Sequence, residues 1–504
     1  MCKMNYMKIK SLLYLFFCWA VVFTACGNDN GPGKDNGGAV TPPEPEPTGD
    51  VTIYATTSTR SKDLSKDAVS FGTKDNMSPT TITLVPATRY QEMDGFGAAI
   101  TGSTCFNLLQ MTKENRTKFL TETFSHENGF GFSYIRISIG CSDFSLGEYT
   151  CCDKKGIENF ALQSEEKDYI IPILKEILTI NPNIKILGSP WTCPKWMKVN
   201  NLTEKKPYDS WKSGQLNPDY YQDYATYFAK WVNAFKAEGI NIYAVTPQNE
   251  PLNRGNSASL YMTWEEQRDF VKTALGPTLE PLGIKIYAFD HNYSYDNIDS
   301  QKSYPVKIYN DADAGKYLAG AAYHNYGGNR SELNNVHSAR PDKELLFTET
   351  SIGTWNSGRD LTTRLMEDMQ EVALGTVNNW CKGVIVWNLM LDTDLGPNRP
   401  GGCQTCYGAV DIDNTKYETI VRNSHYYIIG HMSSVVKPGA TRIGTKGYTA
   451  SGITYSAFEN TDGTYAFVLI NNTSEAKKIT ISDGSHHFIY EVPSKAVASY
   501  RWKK

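Results

Sequence analysis

Little in the sequence suggests a metal, a nucleotide or a polyanion as partner. Only 8 of its 504 residues are histidine. A metal-dependent barrel hydrolase would carry closely spaced His ligands after its first strand, and residues 94–104 hold none. One Cys-x-x-Cys occurs, Cys403-Gln404-Thr405-Cys406, but no second one completes a zinc site. A local disulfide or free thiols suit it better. No Gly-x-Gly-x-x-Gly follows the first predicted strand, which disfavours a dinucleotide fold. Excess positive charge is also missing. The net charge of −4 argues against nucleic acid or an anionic membrane surface as the main partner.

The one long apolar run, residues 11–22, is too short for a comfortable membrane span. Lys3, Lys8 and Lys10 precede it and Phe23-Thr24-Ala25-Cys26 closes it, the shape of a secretory signal. Small residues before Cys26 resemble a bacterial lipobox, so 1–26 is expected to be a lipoprotein signal with Cys26 lipidated. Residues 27–50, rich in Gly, Asn, Asp, Pro and Glu, cannot fold alone and suit a flexible tether. The start of that tether, Gly27-Asn28-Asp29-Asn30, loosely resembles export signals. The expected location is therefore the outer membrane with the body facing the medium, the periplasmic face being the alternative. Eight cysteines remain beyond Cys26, and their pairing is not deducible from spacing.

What is present is a recurring alternation of strand and helix. Strand candidates lie at 95–100, 132–139, 184–189, 242–246, 284–289, 319–324, 345–348 and 384–387. Helical spacing recurs at 169–180, at 220–235 with its row of aromatics, and at 361–378 with Asp360 as N-cap. Eight such units predict an α/β fold, a (β/α)8 barrel over 91–430. Beyond about residue 430 short alternating runs and Asp-Gly turns take over, predicting a β-sandwich over 431–504. Strands in 51–90, at 51–57 and 81–85, are expected to join it.

Two of the barrel strands end in a carboxylate. Residues 242–245 run into Thr246-Pro247-Gln248-Asn249-Glu250-Pro251, and 344–348 run into Glu349. Strand ends are where a parallel barrel keeps its chemistry, and retaining glycosidases need two carboxyls.

Five segments in order carry a family resemblance: 91–99 (QEMDGFGAA), 189–197 (SPWTCPKWM), 246–251 (TPQNEP), 347–349 (FTE) and 387–389 (WNL). Together they resemble glycoside hydrolase family 30, in the branch of glucosylceramidases and endo-β-1,6-glucanases. The resemblance implies Glu250 as acid/base and Glu349 as nucleophile. Asn249 would bind the sugar 2-hydroxyl. Arg136, buried in an apolar strand, demands a carboxylate partner, and Glu349 is the natural one. Asp143, Trp191, His324, Tyr326 and Trp387, all near strand ends, are the remaining candidate substrate contacts. His291 competes with the many loop histidines that do nothing. No cofactor and no metal are expected, and the protein is expected to be a monomer. β-1,6-Glucan is the substrate that the resemblance favours, with β-glucosylceramide, other β-glucosides and xylans open. A non-catalytic glycan-binding lipoprotein would share the tether and aromatics but would not need both glutamates.

Overall fold

The computed structural model describes residues 47–73 and 78–504. The signal, Cys26 and the tether up to residue 46 lie outside the described residues.

Eight parallel strands close into a barrel. In chain order they are β1 (Gly95–Ala99), β2 (Tyr134–Ser138), β3 (Lys185–Ser189), β4 (Ala244–Val245), β5 (Lys285–Asn292), β6 (Leu318–His324), β7 (Glu344–Glu349) and β8 (Cys381–Asn388). All eight fall where the alternation placed them. Period two sorts their side chains into layers. Tyr134, Leu187, Ala244, Tyr287, Ala322, Leu346 and Ile385 meet in a packed interior layer. Their neighbours Ile135, Phe347, Val384 and Val386 point the other way, into the core beneath the helices. One step beyond the interior layer on β2 and β7 come Arg136 and Thr348, fully buried. The barrel below the site is thus a plug of apolar and tyrosine side chains, and the chemistry is confined to the C-terminal mouth.

The predicted helices appear as Ile171–Ile180 and Tyr221–Ala237. The third, capped by the Asp360 side chain on Thr362 N (3.0 Å), starts at Leu361 and passes through a π-helical stretch, Met369–Ala373, before ending at Asn378. The boundary at residue 430 falls inside a further helix, Ser424–Val435. Every residue of that helix is buried, so it has no polar face and shows no helical period in the sequence.

The second unit is a nine-stranded sheet. Val51–Thr57 pairs antiparallel with the last strand, Ala496–Lys503, and Thr81–Glu92 pairs with Thr441–Gly447, so the N-terminal strands do join it. The sheet folds over on itself. Phe488 near one end packs on Tyr500 and Trp502 (ring centroids 5.5 and 5.1 Å), and a separate apolar core fills the space between the layers. His431 joins barrel and sheet through Ser499 Oγ and Thr56 Oγ1, both at 2.8 Å. Burial lowers its pKa to about 3, so the ring is neutral, donating from one nitrogen and accepting at the other. Cys403 and Cys406 form a disulfide; the six other described cysteines are free and buried.

Candidate active site

The mouth of the barrel is organised by a buried aspartate. Asp290 is fully buried on β5. Its Oδ2 accepts hydrogen bonds from Arg136 Nη2 (2.8 Å), Ser189 Oγ (2.6 Å) and Thr246 Oγ1 (2.8 Å). Its Oδ1 accepts from Thr348 Oγ1 (2.6 Å) and His324 Nε2 (3.0 Å). Five strands, β2, β3, β4, β6 and β7, thereby converge on one carboxylate. A bulge makes this possible. The pairing register between β5 and β6 slips between Phe289 and His291, and both Phe289 and Asp290 have left-handed backbone (φ 74° and 70°). Such φ values cost side-chain-bearing residues about 1–3 kcal/mol each. Burial opposes the charge of Asp290, but Arg136 and His324 outweigh it and hold the group far below the usual carboxylate range.

Arg136 divides its fork between two sides. Nη2 reaches Asp290 and Asn249 Oδ1 (2.7 Å), and Nη1 reaches Glu349 Oε2 at 2.5 Å. The expected Arg136–Glu349 pair is present, and Asp290 shares it. Because the guanidinium only donates, Asn249 must present its oxygen to it. Its NH2 group is left for a ligand hydroxyl. Glu349 accepts a second hydrogen bond at Oε1 from the Tyr326 hydroxyl (3.0 Å). Glu250, with left-handed backbone (φ 46°), accepts at Oε2 from Asn253 (2.8 Å) and Asn256 (3.1 Å) and at Oε1 from His324 Nδ1 (3.2 Å).

His324 therefore lies between two carboxylates. Burial alone would lower its pKa, but Glu349, Asp290 and Glu250 outweigh burial and raise it to about 9. Both ring nitrogens donate. Glu250, His324 and Glu349 bring one ligand atom each to within 4.8 Å of one another, the arrangement a metal ion could use. An imidazolium with both N–H groups engaged offers such an ion no lone pair.

The carboxyls of Glu250 and Glu349 thus approach within 4.8 Å at their nearer oxygens. So close an approach of two oxygens fits the carboxyl separation of a retaining pair, about 5–5.5 Å, better than the 6.5–9.5 Å or so that admits an inverting water. Burial raises Glu349 above its ordinary pKa, and the charge of Glu250 adds to it, against His324 and Arg136. On Glu250 burial is opposed by His291, His324 and Asn253, which hold it at about 2. The largest of those lowering charges, His291, exists only while that ring is protonated. Burial lowers the ring's own pKa, so at neutral pH this hold lapses. His324 and Asn253 continue to hold Glu250 down, and mutual repulsion across the short gap keeps the two carboxyls from ionising together.

A cavity of about 320 Å³ opens over the pair, lined by Asp143, Asn253, Asn256, Asn292, Tyr326, Ser351, Trp355, Trp387 and the Cys403–Cys406 disulfide. Asp143 has its pKa raised to about 7 by burial and by the charges of Glu349 and Glu250. Of the sequence candidates, Asp143, Glu250, Tyr326, Glu349 and Trp387 face this cavity. Arg136 and His324 stand behind it as supports, fully buried. Trp191, a candidate substrate contact, has no open face to offer a sugar. It is 2% exposed, stacked on Trp387 (centroids 5.1 Å), with the Arg136 guanidinium 4.9 Å from its ring. Asp290, Asn253, Asn256 and Trp355 escaped the sequence reading. For Asp290 the signal existed: it too is a carboxylate at the end of an apolar strand.

The chain matches the model of the glycosyl hydrolase family 30 TIM-barrel domain over residues 93–436 and that of the family 30 β-sandwich domain over 439–500. It is 31% identical to the endo-1,6-β-D-glucanase BGN16.3 of Trichoderma harzianum, across 81% of this chain and 84% of that protein. It is 27% identical to the lysosomal acid glucosylceramidase of Mus musculus, across 84% and 83%. Among solved structures, the endo-β1,6-glucanase BT3312 superposes with a TM-score of 0.90 at 77% identity, covering 91% of this chain and 100% of that one.

Proposed function

The chain belongs to glycosyl hydrolase family 30, and from that premise we propose that it cuts β-1,6-glucan internally by double displacement, with retention. The supporting observation is the short, buried Glu250–Glu349 gap, with Arg136 and Tyr326 both donating to Glu349. In the first step a Glu349 oxygen attacks the anomeric carbon. The bond to the O6 oxygen of the departing glucose breaks as Glu250 gives that oxygen its proton. Glu250, now ionised, takes a proton from water, and the resulting hydroxide displaces Glu349 from the sugar. Asn249, whose oxygen is taken by Arg136, keeps its NH2 group to donate to the 2-hydroxyl of the attacked ring. The 77% identity to an endo-β1,6-glucanase supports the linkage.

Purified protein incubated with β-1,6-glucan, β-1,3-glucan, xylan and glucosylceramide tests this reading. We expect β-1,6-glucan to yield intermediate-sized products early. Glucose alone from the first minutes would make the enzyme exo-acting. Release of glucose from glucosylceramide with the glucan left intact would replace the reading altogether.

The same reading covers location. The basic residues, apolar run and small residues before Cys26 support a lipid anchor there. The Gly- and Asn-rich start of the tether favours the outer face of an outer membrane, where a polymer too large to import meets the enzyme. Cys26→Ala should move the protein from the membrane to the soluble fraction; continued membrane partitioning of that variant rules the anchor out.

A further inference from the structure

Trp355 is 52% exposed, the most exposed of the large hydrophobic side chains among the described residues. It stands at the cavity rim on the loop after β7, six residues beyond Glu349. The other described tryptophans each pack a ring against another aromatic ring or a cation. Trp355 alone among them has neither. Yet its loop is tied down. Ile352–Gly353 pairs with Cys406–Tyr407, Thr354 N donates to Thr405 O (2.9 Å), and Gly353 N donates to Asn356 Oδ1 (3.0 Å). The indole lies so close over Gly353 that a Cβ there would overlap its Cζ3. An ordered, unstacked indole beside a catalytic pair leaves a free π-face in water.

The ring that Glu349 attacks must reach both buried carboxyls, so it occupies the floor of the cavity, and the exposed Trp355 at the rim is left for a neighbouring ring. Glu250, which protonates the departing oxygen, shares the lining with Asn253, Asn256 and Trp355. Resting on the glycanase reading above, we propose that Trp355 is the stacking platform for the sugar on the leaving-group side of the scissile bond. A glucopyranose presents a C–H face that such a ring accepts. A β-1,6 linkage adds an exocyclic methylene and one more free torsion than a direct ring-to-ring bond. The departing ring then needs a surface of its own to be held in line.

The test compares β-1,6-linked gluco-oligosaccharides with β-gentiobiosyl fluoride, whose leaving group is an ion with no ring to stack. For Trp355→Ala, kcat/KM on the oligosaccharides should fall about 10- to 100-fold, mostly through KM, the scale expected when one aromatic stacking surface is removed. Fluoride release should fall far less, and Trp355→Phe should restore most of the loss. Equal losses on both substrates, or none on either, overturn the assignment. If the wild-type enzyme leaves β-1,6-oligosaccharides uncut, the proposed function has failed instead. The same comparison then applies to whichever β-linked oligosaccharide the substrate panel shows it cleaves.

Discussion

Glu349→Gln should remove turnover of every β-glycoside, by roughly 10⁴- to 10⁶-fold, because the amide cannot attack the anomeric carbon and no other carboxyl of the cavity is held by Arg136 and Tyr326. Its amide fills the same space, so the protein should remain folded. Glu250→Gln should behave differently. A substrate with an excellent leaving group needs no proton, so its first step survives and the enzyme halts as a glycosyl-ester on Glu349. Azide, small and already anionic, should enter in place of activated water, restore turnover and yield a β-glycosyl azide. A burst of leaving group equal to the enzyme concentration would report the trapped ester. Equal losses in both variants across all leaving groups, with no azide rescue, would disprove this division of labour.

Asp290→Asn should lower turnover by about 100-fold although Asp290 lines no part of the cavity. The substitution leaves the Arg136 guanidinium with Glu349 as its only charged partner and removes a carboxylate from His324. Breaking a buried pair on one side typically costs about 3–5 kcal/mol of stability. A shift of roughly 1 Å in Arg136 or His324 is worth about 100-fold in rate. His324, raised to about 9 in the intact site, should titrate closer to its ordinary 6.5. The sign follows from the loss of a charge that favours the protonated ring: the imidazolium gives up its proton at lower pH. An NMR titration of the ring, read beside kcat, checks both effects. Arg136→Lys tests the other end of the contact. It keeps the charge but loses the planar fork that spans Asp290, Asn249 and Glu349, so a large fall in turnover is expected in a folded protein.

The barrel was legible because its strands are buried on both faces and punctuated by helices of clear period. Glu250 and Glu349 were legible because a carboxylate at the end of a buried strand has few structural uses. Arg136 announced itself for the same reason, as a charge inside an apolar run. The same logic applies to Asp290, one residue past the predicted strand 284–289; what the sequence does not show is the backbone bulge at Phe289 and Asp290 that goes with its central place in the site. Trp191 and Trp355 show the opposite difficulty. Which indole lies under another ring and which stands in water depends on contacts between loops far apart in sequence. The helix Ser424–Val435 hid because burial on every side erases its period.

The convergence on Asp290 also sets the electrical state of the site through a full catalytic cycle. With Glu250 protonated, the cations Arg136 and His324 balance the anions Asp290 and Glu349, and these five groups sum to zero. Once the glycosyl-ester forms, Glu349 is no longer an anion and Glu250 has become one, so the sum is again zero. Charge migrates by one carboxylate across the pocket while the total enclosed by the barrel mouth stays constant. Ions from the medium have no net change to compensate, and the low-dielectric surroundings meet no net ionisation in either half-reaction. The enzyme can therefore keep its chemistry buried, with the ionic strength of its surroundings acting on the approach of the polymer and hardly at all on the bond-breaking steps.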